Sequence, residues 1–318
     1  MSTWGPPASG VRLTWDRLPD DIRRAVEARL GGRVVAAPSQ PGGFSPGVAA
    51  RLRTEAGFRA FIKAVSPAQN PDSPEMHRRE ARIAAAMPVS APVPRLLDAW
   101  DQDGWAVLIY EDVKGRQPAM PWTLDEIERV MAAIVRLHAE LTPCPVPGIR
   151  ADAEDPGIDA AFSGWRRLRL EPLDGLDSWS RRHLDELAAI ESGWAVAAAG
   201  DTLLHLDLRA DNILIRGNGE VLFVDWPAAM RGAPFLDVVG MAPSVAMQGG
   251  PDLDWLLARH PSAARADPGA VTAWLAALAG YLIHGSLLPP PPGLPTLRPF
   301  QAAQGAVARA WLEARLGT

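Results

Sequence analysis

The chain of 318 residues contains a single cysteine, Cys144. One thiol excludes an intrachain disulfide and a structural zinc site built on several cysteines. The sequence also lacks an uninterrupted apolar run of membrane-spanning length. Its first residues show no basic segment followed by an apolar run, which argues against a secretory signal peptide. We therefore expect a cytoplasmic protein without a membrane partner.

Positive charge is scarce as well. The chain has 32 Lys and Arg residues against 37 Asp and Glu residues, for a formal net charge of −5. A nucleic-acid-binding protein usually carries a basic face, so we expect no nucleic-acid partner. The length suffices for one large domain or two lobes with a buried core. The sequence leaves a monomer and a homodimer equally open.

The first part of the chain, residues 1–112, has short apolar runs separated by Gly and Pro. Residues 48–54 and 58–65 flank Glu55-Ala56-Gly57, a spacing that predicts a β-hairpin. The segment "EMHRREARIAAAM", between Pro74 and Pro88, predicts a helix. Two further strands are expected around Asp103-Gly104. This part therefore predicts a small antiparallel sheet with one helix.

The second part, residues 113–318, is mainly helical in pattern. Thr123 is a typical N-cap for an apolar-periodic helix over residues 124–141. The pattern predicts further helices over residues 180–200, 270–287 and 298–316, a loop or insertion over 143–160, and a rigid extended linker over 289–295. Residues 202–226 interrupt this pattern with two short strands around Gly217-Asn218-Gly219.

That interruption carries the strongest chemical signal. His205-x-Asp207-x-x-x-x-Asn212 is followed by a hairpin whose return strand ends at Asp225. Phosphoryl transfer to an alcohol needs an acceptor for the hydroxyl proton and oxygen ligands for Mg²⁺. Asp207 suits the first role, and Asn212 with Asp225 suits the second, because the hairpin returns Asp225 beside Asn212. The alternative, that these residues cap turns, is common for one residue but does not account for the whole pattern.

This pattern resembles the aminoglycoside phosphotransferase and choline kinase-like families, distant relatives of protein kinases. Those families carry H-G-D-L-x-x-x-N followed by a strand that ends in Asp. Here Leu206 replaces the usual Gly, and Asp211 stands where Gly is common. Trp226 follows the metal-ligand aspartate, as is frequent in these small-molecule kinases. The resemblance implies an α+β, two-lobed protein-kinase-like fold and ATP, or alternatively GTP, as phosphate donor.

The resemblance extends to the first lobe. "PGGFSPGVAARL" occupies the place of the nucleotide-covering loop, where Gly42, Gly43 and Gly47 permit close backbone approach to phosphates and Ser45 is a further nucleotide contact. Lys63 then matches the phosphate-binding lysine, and Glu80 is its expected ion-pair partner.

The resemblance also assigns the hinge and several supporting residues. In "VLIYEDVKGR", the Glu111 carbonyl and the Val113 N–H are expected to bind the adenine. Asp237, in "GAPFLDVVG", is expected to brace the catalytic loop. Arg209 either offsets charge near the acceptor or pairs with Asp237, and His205 is expected to brace the loop rather than act as a base.

The predicted reaction is transfer of the γ-phosphate to a hydroxyl of a small molecule. The acceptor is an antibiotic, with resistance or self-protection as the outcome, or a metabolite such as choline, homoserine, an amino sugar or a nucleoside. An inactive nucleotide-binding protein is a further alternative, against which the intact set of residues argues. Four tryptophans of the second part are expected mainly in the core: Trp165, Trp179, Trp255 and Trp274. Asp252 and Asp254 either meet a substrate amine or cap a helix.

Overall fold

The computed structural model describes residues 5–149 and 156–317. The first lobe contains strands β1 (Arg12–Leu13), β2 (Val34–Ala36), β3 (Gly47–Thr54), β4 (Arg59–Val65), β5 (Leu96–Gln102) and β6 (Trp105–Glu111), with helices α1 (Asp20–Leu30) and α2 (Ser73–Ala85). The strands form one sheet in the order β1-β3-β4-β6-β5, with β2 paired to β3. All pairings are antiparallel except that of β1 with β3.

Both predicted hairpins of this lobe are confirmed. β3 and β4 pair across residues 55–57, and β5 and β6 pair around Asp103 and Gly104, which both have positive φ. The expectation of a single helix was wrong, because α1 lies between β1 and β2. Only Ile22 and Val26 of α1 are buried, and two positions in eleven give a weak helical periodicity.

The second lobe is helical, with two pairs of short strands inserted. Its strands are β7 (Thr202–Leu204), β8 (Ile213–Ile215), β9 (Val221–Phe223) and β10 (Met230–Gly232). Its helices are α3 (Leu124–Glu140), α4 (Pro156–Ala161), α5 (Gly164–Leu170), α6 (Ser178–Arg182), α7 (Leu184–Glu191), α8 (Trp194–Ala197), α9 (Phe235–Met247), α10 (Leu253–Arg259), α11 (Pro268–Ser286) and α12 (Leu297–Leu316). None of the helices in the described ranges is long and apolar enough to cross a membrane.

Several helix predictions for this lobe hold in part. Thr123 caps α3, since its hydroxyl accepts a hydrogen bond from the Glu126 N–H at 3.3 Å. The helix expected over residues 180–200 is instead three short helices, α6 to α8. The segment 143–160 lies partly outside the described residues, and its last part enters α4. The predicted β8–β9 hairpin is confirmed, with Ile213 paired to Phe223.

The apolar core falls into two clusters, one on the first-lobe sheet and α1 and a larger one in the second lobe. Trp165, Trp179 and Trp274 are buried in the larger cluster, as expected of core residues. Trp255 is half-buried, and the Arg259 guanidinium lies 3.7 Å from its ring centroid. Asp252 caps α10 by accepting a hydrogen bond from the Trp255 N–H, so the capping interpretation holds for this residue.

The proline-rich segment 289–296 contacts both lobes instead of forming a plain extended linker. The Gly293 carbonyl accepts a hydrogen bond from the Val11 N–H at 2.8 Å, and the Pro292 carbonyl accepts one from the Asn70 side chain at 3.0 Å. Thr296 hydrogen-bonds to Ser9 through its hydroxyl. These bonds fix residues 9–11 against the segment 289–296.

Candidate active site

A cavity of about 400 Å³ lies in the cleft between the lobes. It is lined by the glycine-rich loop (residues 41–47), by β3 and β4, by the hinge segment (residues 111–117), by β8 and by residues 224–226 just after β9. Its volume falls in the range of small-molecule sites. Ala49 of β3, Leu214 of β8 and Val224, just after β9, line the cavity with apolar side chains from both lobes.

The polar end of this cavity is centred on Lys63 of β4. The Lys63 Nζ lies 2.7 and 2.8 Å from the two carboxylate oxygens of Glu80 on α2, as predicted, and 2.6 Å from Asp225 Oδ1. The Tyr110 hydroxyl donates to Glu80 at 3.0 Å, so this residue both lines the cavity and orients the carboxylate. A single ammonium therefore joins the two lobes.

Burial and the neighbouring charges shift the pKa values of this ion-pair cluster in opposite directions. Burial alone lowers the pKa of Lys63, but the carboxylates of Asp225 and Glu80 outweigh it and raise that pKa. Burial raises the pKa of Asp225, yet the Lys63 charge is stronger and leaves the pKa of Asp225 well below its usual range. For Glu80, burial dominates and raises the pKa despite Lys63. Asp225 is therefore a carboxylate at neutral pH.

The loop of residues 205–212 places Asp207 and Asn212 together. The Asn212 Nδ2 donates to the Asp207 backbone carbonyl at 2.8 Å and to its Oδ2 at 3.1 Å. The Asp207 side chain keeps 35% of its surface exposed, so its carboxylate is accessible from outside the protein. Burial raises the pKa of Asp207, although the Arg209 charge acts in the opposite direction.

Arg209 holds two carboxylates of this loop. Its Nη1 contacts the Asp207 carboxylate, and its Nε and Nη2 donate to Asp211 at 3.0 and 2.9 Å. The alternative that Arg209 pairs with Asp237 was wrong, because Asp237 is bonded to the loop backbone instead. Asp211, for which the sequence suggests no role, is thus the second counter-ion of Arg209.

Asp237 of α9 accepts three hydrogen bonds beneath this loop. They come from the backbone N–H groups of His205 and Leu206, at 3.1 and 2.7 Å, and from His138 Nε2 at 3.0 Å. Leu206 adopts φ of 59°, a left-handed conformation that glycine enters at no steric cost. The positive φ at this position explains why the related families usually have glycine there. As predicted, Asp237 holds the loop through hydrogen bonds to its backbone.

His205 also supports the loop. Its Nε2 donates to the Val224 carbonyl at 2.9 Å, and its Nδ1 accepts from the Asp207 N–H at 3.2 Å. The side chain is fully buried. Both ring nitrogens are therefore used to connect the loop to the end of β9.

The oxygen atoms beside Asp207 fit a magnesium ion. The amide nitrogen of Asn212 is taken up by Asp207, which leaves its Oδ1 as an acceptor, and Lys63 contacts only one oxygen of Asp225. Both side chains line the cavity. Two protein oxygens completed by phosphates and water are a usual Mg²⁺ environment. Across the described ranges, no group of three or more His, Cys, Asp and Glu residues forms a metal site without such help.

The glycine-rich loop covers this end of the cavity. Gly43, with φ of 88°, and Ser45 both line it. The expectation for Gly47 was wrong: a Cβ there would lie 2.5 Å from the Ala64 carbonyl oxygen. Gly47 is therefore required for strand packing rather than for approach to phosphates.

At the opposite end of the cavity lie Glu111 and Val113 of the hinge segment. Arg51 donates to the Val113 carbonyl at 2.7 Å and lies 3.4 Å from the Asp112 carboxylate. Arg59 also pairs with Asp112, at 2.7 Å. Two arginines of the sheet thus fix the hinge against β3 and β4.

Sequence reasoning missed two contributors to the cleft. Arg12 of β1 lines the cavity, and Phe44 at the tip of the glycine-rich loop packs edge-on against Phe300 of α12, with ring centroids 5.1 Å apart. The Arg209 guanidinium lies 5.4 and 5.6 Å from these two rings, within cation–π range. No local motif marks either residue, because the contacts join distant parts of the chain.

The fold defines the class of protein. The structure is similar to that of the aminoglycoside phosphotransferase APH(4)-Ia, with a TM-score of 0.61 and 16% identity over 91% of this chain and 98% of that one. It is also similar to APH(3'')-Id from Streptomyces rimosus, solved with ADP and streptomycin, with a TM-score of 0.51 and 22% identity over 82% and 98% of the two chains. The predicted two-lobed, protein-kinase-like α+β fold is therefore confirmed.

The sequence itself assigns the family. Residues 41–281 match the profile of the phosphotransferase enzyme family, APH, which covers most of the chain. The chain belongs to this family. No protein of curated function matches the sequence significantly.

Proposed function

We propose that the protein transfers the γ-phosphate of ATP to a hydroxyl group of a small molecule. One observation carries this proposal: Lys63, Asn212 and Asp225 line the same cleft, and Asp207 is hydrogen-bonded to Asn212 beside it. That set supplies a proton acceptor, two oxygen ligands and a cation, which are the parts that phosphoryl transfer requires. Helix-capping or turn roles would not bring a first-lobe lysine to this loop.

In this proposal the nucleotide occupies the 400 Å³ cavity. The adenine lies against Glu111 and Val113 of the hinge, between apolar walls. The phosphates lie beneath Gly43 and Ser45, close to Lys63. Glu80 orients the Lys63 ammonium towards the phosphates, and Tyr110 holds the Glu80 carboxylate in turn. GTP as the donor is the alternative.

Asn212 and Asp225 would hold Mg²⁺, whose charge bridges and neutralises the phosphate oxygens when it is bound. Asp225 suits this role because Lys63 keeps its pKa low, so the carboxylate stays charged near neutral pH. The Asp207–Asn212 hydrogen bond orients the amide so that its oxygen faces away from Asp207.

Asp207 acts as the base for the acceptor. The acceptor oxygen forms a bond to the γ-phosphorus, the bond from that phosphorus to the β–γ bridging oxygen breaks, and ADP leaves. The hydroxyl proton passes to the Asp207 carboxylate. A raised pKa makes this carboxylate a better proton acceptor. Arg209 is a positioning residue, because it fixes the Asp207 carboxylate while Asp211 balances its charge.

The proposed acceptor is a hydroxylated antibiotic, of the aminoglycoside type or another natural product. Family membership supports this class, and two proteins of similar fold were solved with hygromycin B and with streptomycin. The proposed outcome is resistance or self-protection.

A panel of hydroxylated antibiotics and metabolites tests the proposal. Each compound is incubated with the protein, ATP and Mg²⁺, and a mass gain of one phosphate identifies the acceptor. Asp207→Asn should then lower kcat by about 10²- to 10⁴-fold, the usual contribution of a general base, with ATP affinity nearly unchanged. Asp185→Asn, at a side chain that is 93% exposed, is the control. Turnover of Asp207→Asn at the unaltered rate would contradict the mechanism.

A further inference from the structure

Arg12 lies beneath the glycine-rich loop, close to the polar end of the cavity. Its Nε donates to the Gln40 carbonyl at 3.2 Å, and its Nη2 donates to the Gly42 carbonyl. The guanidinium is so close to Gly43 that a Cβ on that glycine would lie 3.2 Å from Nη2. Two of its three nitrogens are thus committed to holding the loop.

The third nitrogen, Nη1, is buried and has no hydrogen-bond partner among the described residues. A buried donor without a partner is unfavourable by about 1–3 kcal/mol, and such groups in native proteins usually have a functional reason. Asp225 is the carboxylate whose charge acts most strongly on Arg12, yet it does not form an ion pair with it. Arg12 lines the same cavity as Lys63 and Asp225.

The other cationic side chains that line the cavity each form an ion pair with a carboxylate, unlike Arg12. Arg51 pairs with Asp112, Lys63 pairs with Glu80 and Asp225, and Arg116 pairs with Glu126. Within the described part of the chain, Arg12 has no carboxylate within ion-pair distance. A desolvated cation without a counter-ion needs an anion from outside the protein.

The backbone fixes Arg12 at this place. β1 pairs in parallel with the start of β3, with Arg12 opposite Gly47. The Gly43 N–H donates to the Ala8 carbonyl at 3.1 Å, and Ser9 is bonded to Thr296. The segment before β1 is therefore held between the glycine-rich loop and the second lobe, so that the guanidinium is preorganised before a ligand arrives.

We propose that the Arg12 guanidinium binds phosphate oxygens of the nucleotide, as a second phosphate-binding cation beside Lys63. This inference rests on the proposed function, because it assumes a nucleoside triphosphate in the cleft. Strand β1 thereby contributes directly to the nucleotide site, and Arg12 couples the position of the glycine-rich loop to the presence of phosphates.

Binding of ATP and of adenosine, measured by calorimetry with Mg²⁺ and without an acceptor, tests this role. Arg12→Ala should weaken ATP binding by about 10- to 100-fold, the loss expected for a charge-assisted hydrogen bond, and leave adenosine binding unchanged. Arg12→Lys should recover part of the loss. Arg12→Gln, which keeps a donor for the loop but no charge, should not. The dependence of ATP affinity on salt should be shallower without the charge.

Arg17→Ala, at an exposed arginine shortly after β1, is the matched control and should bind ATP like the unaltered protein. Equal loss of ATP and adenosine binding in Arg12→Ala would overturn the inference, since it would indicate a structural role. So would unaltered ATP binding by Arg12→Ala or Arg12→Gln. If the unaltered protein binds no ATP, the proposed function itself fails, and this inference fails with it.

Discussion

Replacement of Asp237 by asparagine should destabilise the protein strongly. The carboxylate is almost fully buried and accepts three hydrogen bonds: Oδ2 from His138 and from the His205 N–H, and Oδ1 from the Leu206 N–H. Asparagine has the same shape but replaces one acceptor oxygen by a donor group. At least one of these three donors is therefore left unpaired and faces another donor.

The magnitude follows from these bonds. A hydrogen bond to a charged group contributes about 1.5–3 kcal/mol, against about 1 kcal/mol for a neutral pair. Asp237→Asn removes one such bond and converts the other two to neutral ones. The free energy of unfolding should therefore fall by about 3 kcal/mol or more, a large part of the about 5–15 kcal/mol typical of a domain. Urea denaturation followed by circular dichroism measures this change.

The effect of Asp237→Asn on the free energy of unfolding should also depend on pH. Burial raises the pKa of Asp237, but the hydrogen bonds and charge of His138 and the charge of His205 outweigh it and lower that pKa. A carboxylate with a lowered pKa in the folded state stabilises the protein above its unfolded pKa of about 3.9, and this stability is lost as the pH falls through the folded value. The stability difference between the unaltered protein and Asp237→Asn should therefore be constant near neutral pH and shrink below about pH 4.

Asp254→Asn is the control for both measurements, since that side chain is 87% exposed on the adjacent helix α10. It should change the free energy of unfolding by no more than about 0.5 kcal/mol. A loss below about 1 kcal/mol in Asp237→Asn, or a difference that persists unchanged at low pH, would refute the assigned bracing by this carboxylate.

Two further substitutions probe the site. Glu80→Gln removes the charge that orients Lys63 but leaves its contact with Asp225, so kcat/KM for ATP should fall by about 10- to 100-fold. Tyr110→Phe removes one hydrogen bond to Glu80 but keeps the Glu80 charge, so it should lower kcat/KM by less. Equal effects of the two variants would contradict the orienting role of the Glu80 charge. Because Leu206 has φ of 59°, Leu206→Gly should be at least as stable as Leu206→Ala, by up to about 1 kcal/mol in thermal or urea unfolding. The opposite order would show that the left-handed backbone is not strained.

Short sequence patterns predicted the candidate site residues of the second lobe. The 205–212 loop and the following hairpin span few residues, so the spacing alone predicts that Asp207, Asn212 and Asp225 lie close together, whereas the hydrogen bond from Asn212 to Asp207 is seen only in the structure. The same reasoning correctly predicted the β3–β4 hairpin. It failed for α1, where few buried positions leave little periodicity, and for Gly47, where a neighbouring strand rather than a ligand requires the glycine.

The sequence by itself predicted the class of chemistry, because the expected proton acceptor and the expected metal ligands lie on one short loop and one hairpin. Only the tertiary structure decided how charges pair. Lys63 reaches Asp225 across 162 residues, and Arg209 contacts Asp211 rather than Asp237. Arg12 lines the cavity from the two-residue strand β1, which no sequence motif predicts. A charged side chain has many possible partners along a chain, and the packing of the two lobes selects among them by burial and distance.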